Sequence, residues 1–231
     1  MTKTAKPLNR LLAALPKTEY NLISSRLVHT PLVYNASVYE PGDEIKHVYF
    51  PDSGIISLLS AVDTDSTLEV GIVGNEGLAG LPVFLGVTIS SNRAVVQGAG
   101  VAQRMSVKDF RAACKKSQKL TQLIQRYVHS LLTQISQSAV CNRYHHIDAR
   151  LSRWLLMTHD RMRTDEFQIT QEFLSNMLGV RREAVNKAAG DLQRQSLIKY
   201  SRGSLSVINR TGLEKAACPC YKIIRKEYEI V

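Results

Sequence analysis

The chain has 231 residues, 44% of them apolar and 22% charged, which fits a soluble globular protein of one or two domains. No run approaches the ~18 consecutive apolar residues that a membrane-spanning helix needs, so a membrane partner is not expected. The net charge of +10 divides as +2 over residues 1–116, +3 over 117–146 and +5 over 147–231, so a polyanionic partner is sought first in the last third.

Residues 8–25 carry a helical pattern broken by Pro16. The apolar patch Leu11–Leu15 is too short for the roughly 7–15 residues of a signal core, so a cytoplasmic chain is expected. From Val28 the pattern changes to short β-prone runs: Leu32–Tyr34, Ser37–Tyr39, His47–Phe50, Ile55–Val62, Leu68–Val73 and Val95–Met105. Pro41-Gly42-Asp43, Pro51-Asp52-Ser53-Gly54 and Asp63-Thr64-Asp65-Ser66 supply turn chemistry between them. Many short strands separated by turns predict an antiparallel sandwich or roll.

Lys108–Lys116 reads as a short closing helix, and Leu120 to about His146 as a long one without proline or glycine. Along the long helix Ile124, Val128, Leu131, Ile135, Ser138 and Asn142 alternate four and three apart. That is a heptad seam, apolar first and polar later, with Asn142 able to fix register through a paired hydrogen bond. A further helix, Ile147–Met162, follows a kink expected near His145-His146, and the hinge is placed at 143–149.

Ile169–Leu192 is the most specific stretch. Thr170 is a good N-cap, and Phe173, Leu174, Met177 and Leu178 form one apolar helical face. Gly179 ends that helix, being the residue that most readily takes a positive φ. A second helix from 181 to 192 would bury Ala184, Val185, Ala188, Ala189 and Leu192. Arg181, Arg182, Glu183, Asn186 and Lys187 are then left outward, with the donors and acceptors that suit base edges and phosphates. Leu197–Tyr200 and Leu205–Ile208 flank Ser201-Arg202-Gly203-Ser204 as a hairpin with a basic tip. Helix, turn, helix and hairpin in that order make a winged helix-turn-helix.

Residues 147–214, with Arg182, Glu183, Ala184 and Val185 at an Arg-Glu-x-Val core, resemble the DNA-binding domain of the Crp/Fnr transcription regulators. YEPGDEIKHVYFPDSG, Tyr39 to Gly54, is similar to the start of that family's cyclic-nucleotide-binding β-roll, so the resemblance runs over roughly residues 8–215. It implies an α+β chain: a jelly-roll-like antiparallel β-roll (1–116), a dimerisation helix (117–146) and a winged helix-turn-helix (147–231). It also implies a homodimer on double-stranded DNA, with RNA polymerase a candidate partner, and gives the six heptad residues to the dimer interface. By the resemblance Arg182 and Glu183 read bases, joined on the outward face by Arg181 and Asn186. Thr170, Gln171, Lys187, Lys199, Ser201 and Arg202 are better placed for phosphates.

A cyclic-nucleotide pocket of this family needs a ribose-binding carboxylate and an Arg-Ser pair on the phosphate. In this sequence the aligned positions are Ala79 and Arg93-Ala94. Only the arginine is kept, so control by cyclic AMP is not expected. Glu76, Gly77 and Arg93 remain the candidate effector-pocket residues for an unknown small molecule. No cofactor, metal or catalytic residue is assigned. The histidines, His29, His47, His129, His145, His146 and His159, have no HExxH-like spacing. Cys218-Pro219-Cys220 has no second CxxC to complete a metal site, so Cys114, Cys141, Cys218 and Cys220 read as reduced thiols. No Walker A, GxGxxG or nucleophile–base motif is present, which argues against an enzyme. The rival readings are a nucleic-acid binder that ignores sequence and a metal or redox sensor built on the roll.

Overall fold

The computed structural model describes residues 7–61, 67–162, 164–201 and 203–229. The turn expected at Asp63–Ser66 and the wing-tip residue Arg202 lie outside them. Two short helices, α1 (Arg10–Ala13) and α2 (Lys17–Ser24), meet at Pro16. Asn9 caps α1 by accepting from the Leu12 amide, while its own amide donates to Pro51 and Gly77 in the sheet. The helix start is thereby tied to the roll.

Strands β1 (Val28–Leu32), β2 (Ser37–Tyr39), β3 (His47–Ala61), β4 (Thr67–Val73) and β5 (Arg93–Ser106) form one antiparallel sheet in the order β1-β5-β3-β4, with β2 also on β5. The turn expected at Pro51–Gly54 is not one. The chain continues through it as a single strand, with the register on β5 shifting at Pro51/Ser53, Ser53/Ile55 and Ile55/Ile56. Gly54 sits at φ +82°, where a Cβ would collide with the Gly98 carbonyl. Turn-type residues therefore build bulges that curl a long strand, which is how a sheet closes into a roll. The first strand also starts and stops earlier than expected, at Leu32, because Asn35 turns the chain at φ +63°.

Helix α3 (Val107–Lys116), capped by Ser106, leads into α4 (Gln118–Tyr144), capped by Ser117. Leu120, Leu123, Ile124, Tyr127 and Leu131 of α4 join the core of the roll. This changes the heptad reading. Ile124 and Leu131, expected between subunits, are buried in the chain's own roll core, and Ser138 is buried as well. The Asn142 Oδ1 accepts from Arg150 at 2.8 Å. Val128 and Ile135 stay half-buried at the rim beside Leu132, which is 58% exposed. The apolar stripe left open is thus 128, 132 and 135, because a helix lying on a sheet spends one side of a two-sided apolar face on it.

Helix α4 ends at Tyr144 and α5 (Ile147–Met162) begins after an extended His145. Then follow β6 (Glu166–Gln168), α6 (Gln171–Leu178), α7 (Arg182–Arg194), the hairpin β7 (Ile198–Ser201) and β8 (Ser204–Val207), α8 (Arg210–Ala216) and α9 (Cys220–Glu229). A three-stranded antiparallel sheet runs β6-β8-β7. Only its hairpin was expected, since three residues in β6 carry too little pattern to read.

The second core does not stop at the domain boundary. Trp154, Leu155 and Leu174 share it with Ile55, Leu59, Ile72 and Val95 of the roll. Helix α5 also lies on a polar seam. Trp154 donates to Glu69 at 2.8 Å, Gln97 donates to Thr158 at 3.0 Å, and Arg161 donates to Glu76 at 2.8 Å.

Candidate nucleic-acid interface and the roll groove

The helix-turn-helix is built locally as its sequence requires. The Thr170 hydroxyl accepts from the Phe173 amide at 3.1 Å, which fixes the start of α6. Gly179 adopts φ 60°, ψ 44°, and its amide returns to the last turn. Leu174, Met177 and Leu178 of α6 pack with Val185, Ala188, Ala189 and Leu192 of α7. Small residues on α7 let the two helices approach closely, and Ala184 is half-buried at the edge of the contact.

Arg181, Arg182, Glu183, Asn186 and Lys187 all face solvent. Arg182, Thr170, Gln171, Glu172, Tyr200, Ser201 and Gly203 line one open groove of about 490 Å³ between the starts of α6 and α7 and the wing. Lys199 is exposed on the same hairpin. Of the expected contact residues, Thr170, Gln171, Arg182 and Ser201 thus share one groove. Tyr200 was not foreseen. Its hydroxyl donates to the Ile169 carbonyl at 2.8 Å and ties the wing to the start of α6.

The candidate effector residues are not brought together. Glu76 is buried under α5 and takes both Nε and Nη2 of Arg161 at 2.8 Å. Gly74 allows this closeness, since a Cβ there would strike both side chains. Gly77 lies beneath the Tyr127 ring, which a side chain would displace. Arg93 turns outward to Glu40 at 3.1 Å. None of the three lines the groove between roll and α4.

That groove, about 380 Å³, is walled by residues such as Tyr39, Leu58, Val70, Leu81, Leu131 and Leu132. No charged side chain lines it among the described residues. Ala79 stands in its wall, and its amide is already bonded to Tyr49. A pocket was legible in the resemblance, but its chemistry was not, because the carboxylate nearest in sequence is spent on α5. Cys141, His145, Cys218 and Cys220, set aside in the sequence for want of partners, meet one another at the end of α4. None of them lines either groove.

Residues 149–216 match the model of the Crp-like helix-turn-helix domain. No curated protein matches the chain. Among solved structures, a regulator of the Crp/Fnr family from Eubacterium rectale superposes with a TM-score of 0.68 at 17% identity, over 90% of this chain and 98% of that one. FixK2 from Bradyrhizobium japonicum gives 0.69 at 12%, over 83% and 98%. The c-di-GMP-responsive regulator CLP from Xanthomonas campestris gives 0.68 at 14%, over 83% and 99%. The fold, a β-roll and a helix-turn-helix on one chain, is the one these Crp/Fnr-family structures have.

Proposed function

We propose that this chain is a transcription regulator that binds an inverted-repeat DNA site as a homodimer and reads its sequence through α7. The observation that carries the reading is the exposed start of α7 beside the wing, with its apolar side buried and its polar side free. Arg182 offers a fork of donors to guanine O6 and N7, Glu183 an acceptor for cytosine N4, and Arg181 and Asn186 flank them. Thr170, Gln171, Lys187, Lys199 and Ser201 border the same face and take phosphates, which position the protein without selecting sequence. The hydroxyl of Thr170 already accepts its cap bond and keeps its proton to donate.

For the dimer, the open stripe Val128, Leu132 and Ile135 is the seam. Two recognition helices across a two-fold axis call for half-sites about 34–36 Å apart, one turn of DNA. For the roll, an uncharged groove with Arg93 held by Glu40 gives no counter-charge for a cyclic phosphate. Cyclic AMP is therefore not required for DNA binding, and calorimetry is expected to show no low-micromolar site.

The test is genome-wide footprinting followed by binding to the recovered site and to scrambled duplexes at two salt concentrations. A palindromic site bound ~10³-fold or more above scrambled DNA is expected. Equal affinity for both would make the chain an architectural binder.

A further inference from the structure

Three thiols and one imidazole converge where α4 ends. Cys141 lies in the last turn of α4, and His145, four residues on, is its C-cap, with its amide bonded to the Cys141 carbonyl at 3.1 Å. That spacing places both on one helical side. Cys218 and Cys220 flank Pro219 at the start of α9, which packs along α4. Cys220 is the first residue of α9.

The four ligand atoms all lie within 4.8 Å of one another. Cys141 Sγ is 3.3 Å from Cys218 Sγ, and Cys220 Sγ is 3.7 Å from His145 Nδ1. A tetrahedral zinc with Zn–S of about 2.3 Å and Zn–N of about 2.0–2.1 Å separates two sulfurs by about 3.7 Å, and a sulfur from a nitrogen by about 3.5 Å. Those two distances lie within a few tenths of an ångström of these values, and the remaining pairs lie within 4.8 Å. All three cysteines are buried.

A second observation is a buried cation beside the thiols. Arg153 is 5% exposed, and among the described residues it makes no salt bridge. Its Nη1 reaches only the Met157 sulfur at 3.2 Å, and its Nε has no partner. A buried guanidinium is costly unless opposite charge lies near it, and the Glu69 carboxyl and the thiols are the groups that lie near Arg153. Arg153 acts electrostatically on all three thiols. Three thiolates, one neutral imidazole and a divalent ion sum to a single negative charge, which balances it.

We propose that Cys141, His145, Cys218 and Cys220 bind one zinc ion as a closed Cys3His site that clamps α9 to the end of α4. The site fixes the kink from which α5 departs, so it sets how the helix-turn-helix leaves the long helix. Loading replaces three S–H bonds by three Zn–S bonds and releases the three protons to water, so apparent affinity rises with pH.

The test uses the full chain purified under reductant without chelator. Elemental analysis is expected to find about one zinc per chain in the wild type and in Cys114→Ser, and little in Cys218→Ser. To separate loss of metal from loss of fold, metal-stripped wild type that keeps its circular dichroism is titrated with Co(II). A thiolate-to-cobalt charge-transfer band, together with the visible bands of tetrahedral cobalt, is expected. Folded, reduced protein that takes up neither ion overturns the proposal. So does a peptide map of anaerobically purified protein in which Cys141 and Cys218 are already joined as a disulfide.

Discussion

Two grooves of similar size lie on this chain, about 380 Å³ in the roll and about 490 Å³ on the helix-turn-helix, and their chemistries are opposite. The roll groove is walled by leucine, valine and a proline and carries no charge among the described residues, whereas Arg182, Glu172 and Gln171 line the other. Size thus says nothing about which one can hold a phosphodiester. Burying an unpaired phosphate in an apolar wall costs several kcal/mol, while the open basic face gains by releasing counterions. On the proposed reading the polyanion is expected at the helix-turn-helix.

The largest expected effect comes from the α4 wall of the roll groove, which doubles as the proposed seam. Leu132→Asp removes burial worth ~1.5–3 kcal/mol in each subunit, so ~3–6 kcal/mol per dimer, or roughly 100-fold or more in dissociation constant. Light scattering is expected to show monomers that remain folded by circular dichroism. Leu131→Asp, one residue away but 5% exposed and packed in its own roll, is expected to unfold the chain. If Leu131→Asp gives folded monomers and Leu132→Asp leaves the dimer intact, the seam is the other stripe.

Helix α5 packs on the roll between the two grooves, and the pair Arg161–Glu76 is a buried contact there. Arg161→Ala leaves a carboxylate buried without a partner, at a cost of ~3–5 kcal/mol. At this chain length that lowers the melting temperature by about 6–20 °C. The double change Arg161→Met with Glu76→Leu is expected to recover most of the loss. If the single variant melts like wild type, the pair does not anchor α5.

How far each groove could be read in advance follows from the same contrast. The helix-turn-helix was legible almost to the residue, because its signals are local: the Thr170 cap, Gly179 at positive φ, and an apolar stripe within a dozen residues. The roll was legible as a class only. Its bulges at Pro51–Gly54 use the same residue types as a turn, and only pairing with β5 tells them apart. Glu76 looked like a pocket residue because its partner, Arg161, is 85 residues away. In the same way a sequence cannot show that Cys141 and Cys218, 77 residues apart, touch. The heptad was real, but a period of 3.5 does not say which neighbour, sheet or second chain, takes each side of the helix.

The next effect sharpens what the basic groove does. Arg182→Ala is expected to cost ~1–3 kcal/mol on the cognate site and to relax preference at one base pair per half-site. Competition with single-base variants of the site measures it. A uniform loss on every duplex would mean that Arg182 positions the protein and does not read.

Between the grooves lies a titratable contact with a smaller effect, because opposing forces meet there. Burial pushes the Glu69 carboxyl up to about 7, while hydrogen bonds from Ser57 and Trp154 pull the other way. The folded chain then holds the proton over a range where the unfolded chain, near 4.5, has lost it. Stability from this site is full below about 4.5 and is lost as pH rises through about 7. Melting temperature is expected to fall between about pH 5 and pH 8 in wild type and to fall less in Glu69→Gln. Equal slopes in the two proteins would remove Glu69 from the seam.

The smallest effect separates steering from reading on the basic groove itself. Lys199 is exposed on the hairpin, and no base-reading geometry recommends it. If it meets a phosphate, Lys199→Ala removes one counterion-releasing contact per subunit. The slope of log affinity against log salt then flattens by ~0.9 per subunit, about 2 for the dimer. The ratio of cognate to scrambled affinity stays unchanged, because phosphate contacts carry no sequence information. At low salt the loss is modest, and it shrinks as salt rises, since a screened contact has less to give up. The measurement is a salt titration of both duplexes with wild type and variant side by side. An unchanged slope means that Lys199 points into water even on DNA. A changed ratio means that the wing takes part in reading, which would carry sequence recognition beyond α7.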